Sequence, residues 1–430
     1  MIKRIVEYKR PNIYAISEDR NEYDRSKTLL DNSLKEVLDD KKVSQALQEN
    51  SIEKFRDVKR VYIPSDHCDI RKKYSKEMEN LGKVRDLDGN ITNGFSTLAS
   101  VFIDENKKDI TLGEVTVFSN KEERFVSQEE LKLYDKNKIE DKARVEKIKE
   151  LIDKDEHINM TLSLMRQSKR VSETVKAANP NIKVCHIHDR FADMAEYFKH
   201  VDQVLKDEFV VRGTKKRVSN QIKINPETGR TNKVKLIDAK FKHSHKEVIE
   251  KLRLKGKLYE QAQSIIEWDS IELEGEKYQV ARVTLQKRDG TNIFTNPMLL
   301  ITNIKVNSYI EAKEIYHIYL LRSKIEAVFK FLKDVLGWEE FQVRDWESIK
   351  NIIALCFFVG NYFYEIESTL IEHPTIEIIC QLGNGKGVVS RFYFLQGLEK
   401  LLIAQSVFRF KEDKGISDDE WKEVTSFAGV

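Results

Sequence analysis

Tyr319, Arg322, Glu326 and Lys333 follow one another in the segment YLLRSKIEAVFKFLK at intervals of three, four and seven residues. At about 100° per residue these four side chains share an arc of about 60° on one helix face, and Lys330 joins them. Leu321, Ile325, Val328, Phe329, Leu332 and Leu336 gather on another face, which would turn to a core. An acid set among cations and a phenol suits phosphodiester chemistry when other carboxylates stand close by. Two candidates are Asp66, which follows the run VKRVYIPS, and Asp189, which follows IKVCHIH. Three carboxylates suit Mg²⁺ or Mn²⁺, hard ions that take oxygen ligands and need neither Cys nor His. A pair of such ions about 3.5–4 Å apart activates the attacking oxygen and stabilises the leaving one. The flanking Arg and Lys would hold the scissile phosphate and offset its developing charge.

Each residue also has a plainer reading. Arg322 and Glu326 form an ordinary i,i+4 surface pair, with a stabilisation of a few tenths of a kcal/mol. Asp189 is a preferred residue type for capping the helix that follows it. Asp66 could be a turn acid, and Asp69 competes with it three residues on. His186 and His188 alternate onto the strand face opposite Asp189 and read as structural. HIHDR lacks the further spaced Asp and His of a dinuclear zinc hydrolase.

The elements that must position these residues follow from the pattern along the chain. Val58–Ser65, Ser96–Ile103 and Ile110–Phe118 read as three early strands, the last two joined as a hairpin. The first 55 residues carry helical spacing at Leu30, Leu34, Val37 and Leu38, and again at Val43 and Leu47. A charged helical region runs from Glu129 to Ala178 and closes at Asn179-Pro180. Ile182–His188 reads as a buried strand ending on Asp189, at the sheet edge where open α/β folds place ligands. Phe191–Lys206 predicts an amphipathic helix and Glu208–Arg212 a further strand. Strand-like runs such as Tyr278–Gln286 then lead to a return strand at Met298–Thr302 and one helix over Tyr309–Leu336.

This order predicts an α/β fold: an RNase H-like catalytic core carrying a β-rich insertion, with helical N- and C-terminal regions. The expected boundaries are 1–55 for a short helical start, 56–212 for the first part of the core and 213–300 for the basic insertion. Residues 301–340 would return to the core with the glutamate helix, and 341–430 would form the helical C-terminal region.

Composition narrows the setting. The 430 residues carry 74 basic and 71 acidic side chains, a net charge of only +3. The distribution is more telling, because Lys206–Lys257 holds 16 Lys/Arg against 6 Asp/Glu. A local basic patch is the electrostatic footprint of a phosphate-backbone binder, although a solvated Lys-rich surface gives the same count. Cys68, Cys185, Cys356 and Cys380 are isolated, which speaks against a disulfide framework or structural zinc. MIKRIVEYKRPN has no apolar signal region. The most apolar stretch, Ile352–Phe363, is about 12 residues long where a bilayer span needs roughly 20. A buried helix, no membrane partner and a cytoplasmic location are expected.

Asp66, Asp189 and Glu326, with Tyr319, Arg322 and Lys333, resemble the DDE triad and YREK signature of bacterial transposases of insertion sequence family four. Asp189-Arg190-x2-Asp193 and Phe209-Val210-Val211-Arg212 resemble the segment around that family's second aspartate. The resemblance runs from about Val58 to Lys400 and includes Leu382–Gly387, which lacks the P-loop pattern and reads as a loop between helices. It implies a bacterial, nucleoid-associated DNA transposase that needs Mg²⁺ or Mn²⁺ and acts on double-stranded element ends and target. It further implies that the insertion takes part in end binding and in a hairpin stage of excision, and that two copies pair in the DNA complex. By the same resemblance Asp66, Asp189 and Glu326 would be catalytic and metal-binding. Tyr319, Arg322, Lys330, Lys333, Arg190 and Arg212 would contact DNA, and Trp268 would stack on a flipped base. Two other readings remain, an RNase H-fold nuclease that only hydrolyses and a DNA-binding remnant without activity.

Overall fold

The computed structural model describes residues 5, 11, 20–30, 40–86, 88–107, 110–224, 226–254, 256–369, 374–384 and 388–426. Leu34, Val37 and Leu38 of the expected N-terminal helix, and Gly385, Lys386 and Gly387 of the expected loop, lie outside them. In chain order the described residues form α1 (Arg20–Leu30), α2 (Asp40–Phe55), β1 (Arg60–Arg71), β2 (Gly82–Arg85), β3 (Ile91–Ile103) and β4 (Ile110–Phe118). Next come α3 (Gln128–Asp135), α4 (Lys142–Asp153), α5 (Met160–Ala178), β5 (Lys183–His188), α6 (Ala195–Lys199) and β6 (Glu208–Arg212). The basic region supplies β7 (Val218–Ile224), β8 (Thr231–Lys235), β9 (His243–Leu254), β10 (Lys257–Leu273) and β11 (Glu276–Gln286), followed by β12 (Met298–Thr302). Six helices close the described chain: α7 (Tyr309–Leu320), α8 (Ser323–Asp334), α9 (Trp346–Thr369), α10 (Pro374–Asn384), α11 (Arg391–Asp413) and α12 (Asp418–Ser426).

Two compact units result. One consists of Gln45–Lys73 and Asn80–Ala327, the other of Met1–Ser44, Tyr74–Glu79 and Val328–Val430. The first is mixed α/β, built on a ten-stranded sheet of order β2-β3-β1-β5-β6-β12-β11-β10-β9, with β4 also paired to β3. Strands β4, β3 and β1 are antiparallel, and β1, β5 and β6 run parallel. That arrangement is compatible with an RNase H-like core.

Burial separates two parts of the sheet. From Phe95 onward β3 is almost continuously buried, as is β4, the signature of strands covered on both faces. In β10 and β11 buried and half-exposed residues alternate, so one face there meets solvent. Helix α5 turns Val171 and Val175 onto Val61, Ile63, Phe102 and Val184. The second cluster gathers Tyr197, Phe198, Phe209, Val211, Tyr278, Val280 and Ile301, and so runs from the parallel strands into the basic region.

Three expectations are corrected. The region Glu129–Ala178 is three helices, because Ser127, Asp141 and Asn159 each offer a side-chain oxygen to a helix N-terminus and restart it. Phe191–Lys206 is a 3₁₀ turn, then the short α6, then a π-helical turn to Leu205. There Asp193 accepts from Thr214 N at 2.7 Å and pairs with Arg217, which pulls the chain out of helix. The helix Tyr309–Leu336 breaks at Leu321–Arg322, where the backbone makes i→i−3 bonds. Ser323 Oγ donates to Leu320 O at 2.8 Å and engages a carbonyl that a continuous helix would use.

In the second unit, α9 is buried at Ile349, Ile352, Ile353, Phe357 and Phe363, which makes Ile352–Phe363 a core helix. Trp338 Nε1 donates to Ile353 O at 3.1 Å. Among the described residues no helix is long and apolar enough to cross a membrane. Helices α10 and α11 meet backbone to backbone at Gly397, where a Cβ would run into the Ile379 carbonyl. Gly397→Val is therefore expected to lower stability by about 1–3 kcal/mol through overpacking, read as a lower midpoint in thermal or urea unfolding. An unchanged midpoint would mean that the helices separate without cost.

Candidate active site

The parallel pairing of β1 and β5 ends at Pro64 opposite Ile187. Asp66 and Asp189 each lie two residues beyond that pair, so the same register carries both acids to the carboxyl ends of adjacent parallel strands. β1 itself is longer than the sequence pattern implied and continues to Arg71 through its pairing with β3. Asp66 thus sits within a strand, held by β3 on one side and past the end of β5 on the other.

Asp189 stands at the N-cap of the 3₁₀ turn Arg190–Ala192, yet its side chain makes no cap bond. The carboxylate meets Tyr319 instead, whose hydroxyl donates to Oδ1 at 3.4 Å, and Arg212, 3.9 Å away. Arg190 beside it is exposed. The turn is braced by the Asp193–Arg217 pair described above.

Arg322 joins the other two acids. One end of its guanidinium donates to Asp66 and the other to Glu326. The helix break is what frees it to do so, since Arg322 belongs to neither α7 nor α8. Burial pushes the Asp66 carboxyl up to about 6. Arg322 and the His67 amide work against that rise, while the nearby Asp189 and Glu326 charges add to it. Tyr319 is 5% exposed, and burial, then the Asp189 charge, raises its hydroxyl.

Asp69 is engaged elsewhere. Ser96 Oγ donates to one of its oxygens at 3.1 Å and the Arg85 amide to the other at 3.2 Å. Lys330 and Lys333 lie past Ala327, in the second unit, where Lys330 is exposed and Lys333 pairs with Glu339 at 3.0 Å. Trp268 lies in β10, 7% exposed, with His243 stacked on its ring at a centroid distance of 5.4 Å.

Behind the acids is a buried polar network of which the sequence showed only the histidines. His188 Nδ1 lies 3.2 Å from Ser65 O and its Nε2 2.5 Å from the Tyr197 hydroxyl, which meets Ser168 Oγ at 3.0 Å. Burial holds His188 well below the ordinary imidazole range, so it is neutral. His186 Nε2 is 3.0 Å from Asp207, which also accepts from Ser172 Oγ at 2.6 Å and pairs with Lys176 at 2.5 Å. Ser168, Ser172 and Lys176 all come from α5, a helix with no recognisable motif.

Among the described residues no three His, Cys, Asp or Glu side chains converge as a ready metal-ligand group. The donor chemistry nevertheless fits a hard divalent cation. The Asp66 carboxyl is raised by burial first and then by two like charges, and the positive charge between Asp66 and Glu326 is a protein cation.

Residues 205–362 match the family model of the transposase DDE domain. No curated protein matches the chain. The matched stretch contains Arg212, Trp268, Tyr319, Arg322, Glu326, Lys330 and Lys333, while Asp66 and Asp189 precede it. The match supports a DDE transposase, a class of enzyme that acts on DNA in transposition.

Proposed function

We propose that this chain cuts DNA at the ends of a mobile element and joins the freed 3′-OH to target DNA, with Asp66, Asp189 and Glu326 as its catalytic carboxylates. The observation that carries this reading is the meeting of Asp66 and Glu326 on Arg322, beside Asp189, at the carboxyl ends of two parallel strands. The three acids would hold Mg²⁺ or Mn²⁺, and two such ions supply activation of the attacking oxygen and stabilisation of the leaving oxygen.

The remaining work falls to side chains. Tyr319, Arg212 and the exposed Arg190 border Asp189 and hold the phosphate backbone in register with it. Arg322 bonds carboxylates while no phosphate is present, and its planar fork matches phosphate geometry equally well. It passes from acid to phosphate as DNA enters. Lys330 and Lys333 extend the backbone contacts, as the YREK signature of insertion sequence family four implies. Trp268 reaches a flipped base once His243 leaves its ring face. The core is RNase H-like, two copies pair on two element ends, and the protein works at the bacterial nucleoid. The YREK set favours strand transfer over hydrolysis alone.

The deciding experiment incubates the protein with its element's end DNA and Mn²⁺. Joined products in wild type that vanish in Glu326→Gln support the reading. Nicking without joining would leave a nuclease, and binding without cleavage a remnant.

DNA affinity is also expected to fall about 10³-fold or more between 50 and 200 mM salt, as exposed lysines within Lys206–Lys257 release counterions. Filter binding across that range checks it, and a flat response would rule out backbone contacts by this segment.

A further inference from the structure

Strands β7 and β8 form a two-stranded sheet of their own, outside the ten-stranded one. Its base is tied to the rest of the unit. Ser219 is buried, Asn220 Oδ1 accepts from the Glu272 amide at 3.0 Å, and Gln221 Oε1 accepts from the Lys240 amide at 3.0 Å. Beyond Gln221 the described residues 222–224 and 226–233 are all exposed. Ile222 and Ile224 are 60% and 68% exposed, an unusual state for two β-branched side chains on one strand face. A two-stranded ribbon has little stability of its own in water, so such an arm calls for a partner.

Register and charge say which partner. Ile222 faces Lys233 across the ribbon and Ile224 faces Thr231, while Lys223 and Asn232 share the opposite face. Residues 215–235 carry seven Lys or Arg and one acid, Glu227. Lys223, Arg230, Lys233 and Lys235 are all exposed. A self-associating strand edge would bring these cations together and repel, whereas a polyanion neutralises them. The DNA major groove is about 12 Å wide and admits a two-stranded ribbon, and apolar side chains there meet thymine methyl groups.

We infer that the β7–β8 ribbon is an arm that enters the major groove of duplex DNA, with Ile222 and Ile224 toward the bases, and with Lys233 on that same face and Arg230 just before β8 reaching the flanking phosphates. The inference rests on the reading of the chain as a DNA-processing protein and adds to it a second point of attachment, away from the three acids.

The test uses the full chain and a 40-base-pair duplex, with 5-bromouracil in place of thymine, which puts a photoreactive atom at the major-groove methyl position. Irradiation is expected to cross-link the peptide spanning 218–235, with yield reduced at least fivefold in Ile222→Ser/Ile224→Ser. Arg230→Ala/Lys233→Ala should lower the slope of log affinity against log salt by about 2, one for each phosphate that is no longer neutralised. Both variants change exposed residues only, and circular dichroism verifies that they fold. Wild-type binding with no cross-link in this peptide and an unchanged slope overturns the arm and leaves the DNA reading intact. Altered self-association with unchanged DNA affinity also overturns it, in favour of a second copy as the partner. Absence of any DNA binding by wild type overturns both.

Discussion

Asp189→Asn and Glu326→Gln are each expected to reduce strand cleavage by about 10²–10³-fold, the size of loss that follows removal of one charge-stabilising group from a transfer site. Both changes keep shape and remove charge. Asp189 makes no cap bond to its own turn, so its loss does not unfold the turn. DNA affinity should stay level or rise, because an acid that repels phosphate has gone. Asp69→Asn is the internal control. Asp69 is bonded to Ser96 and the Arg85 amide within the sheet, and cleavage should stay within about threefold of wild type. Gel assays on end DNA with Mn²⁺ measure the first effect, and equilibrium binding in the absence of metal measures the second. If Asp69→Asn abolished cleavage and Asp66→Asn did not, the first member of the triad would have to be reassigned.

Asp207→Ala is expected to lower the stability of the α/β unit by about 3–5 kcal/mol, the range for breaking a buried ion pair by removing one partner. The carboxylate is fully buried and meets Lys176, His186 and Ser172. Burial by itself raises this carboxyl, but hydrogen bonds and charge from His186, with those from Lys176 and Ser172, outweigh it and hold it below the ordinary carboxylate range. A depressed value in the folded state means stability that is present above the unfolded value of about 3.9 and is lost as pH falls through the folded one. Urea unfolding between pH 7 and pH 3 should show wild type losing stability at the acid end. In Asp207→Asn that loss should be smaller, from a lower starting point. Equal midpoints for Asp207→Ala and wild type at pH 7 would show that the network contributes nothing.

Much of the site can be traced to local pattern. Glu326 came from helical spacing and Asp189 from the end of an apolar strand, and both signals reside within a dozen residues of chain. What escaped was set by partners far away in sequence. β1 reads as ending at Ser65 because its apolar run stops there, yet pairing with β3 carries it to Arg71. The choice of Asp66 to meet Arg322, 256 residues later, rests on that extension. The helix break at Leu321–Arg322 has a local sign only in Ser323, a residue usually tolerated on a helix face. Tyr197, Ser168 and Asp207 had no motif at all, because a buried polar network is recognisable only once its members face each other.

The sheet that carries Asp66 and Asp189 does not stop at β6. Through β12 the hydrogen-bonded pairing runs on to β11, β10 and β9. Four strand spacings at about 4.8 Å separate β6 from β9 by about 19 Å, close to the rise of five or six base pairs. A hydrogen-bonded sheet stretches very little, so it can act as a gauge. Under the proposed DNA-cutting function, a nucleotide held on the far strands would lie at a fixed distance from the acids, and the position of the cut would be counted from there. On that proposed function, inserting a strand into this series, or deleting one, would move the scissile bond by a set number of nucleotides while leaving the chemistry as it was.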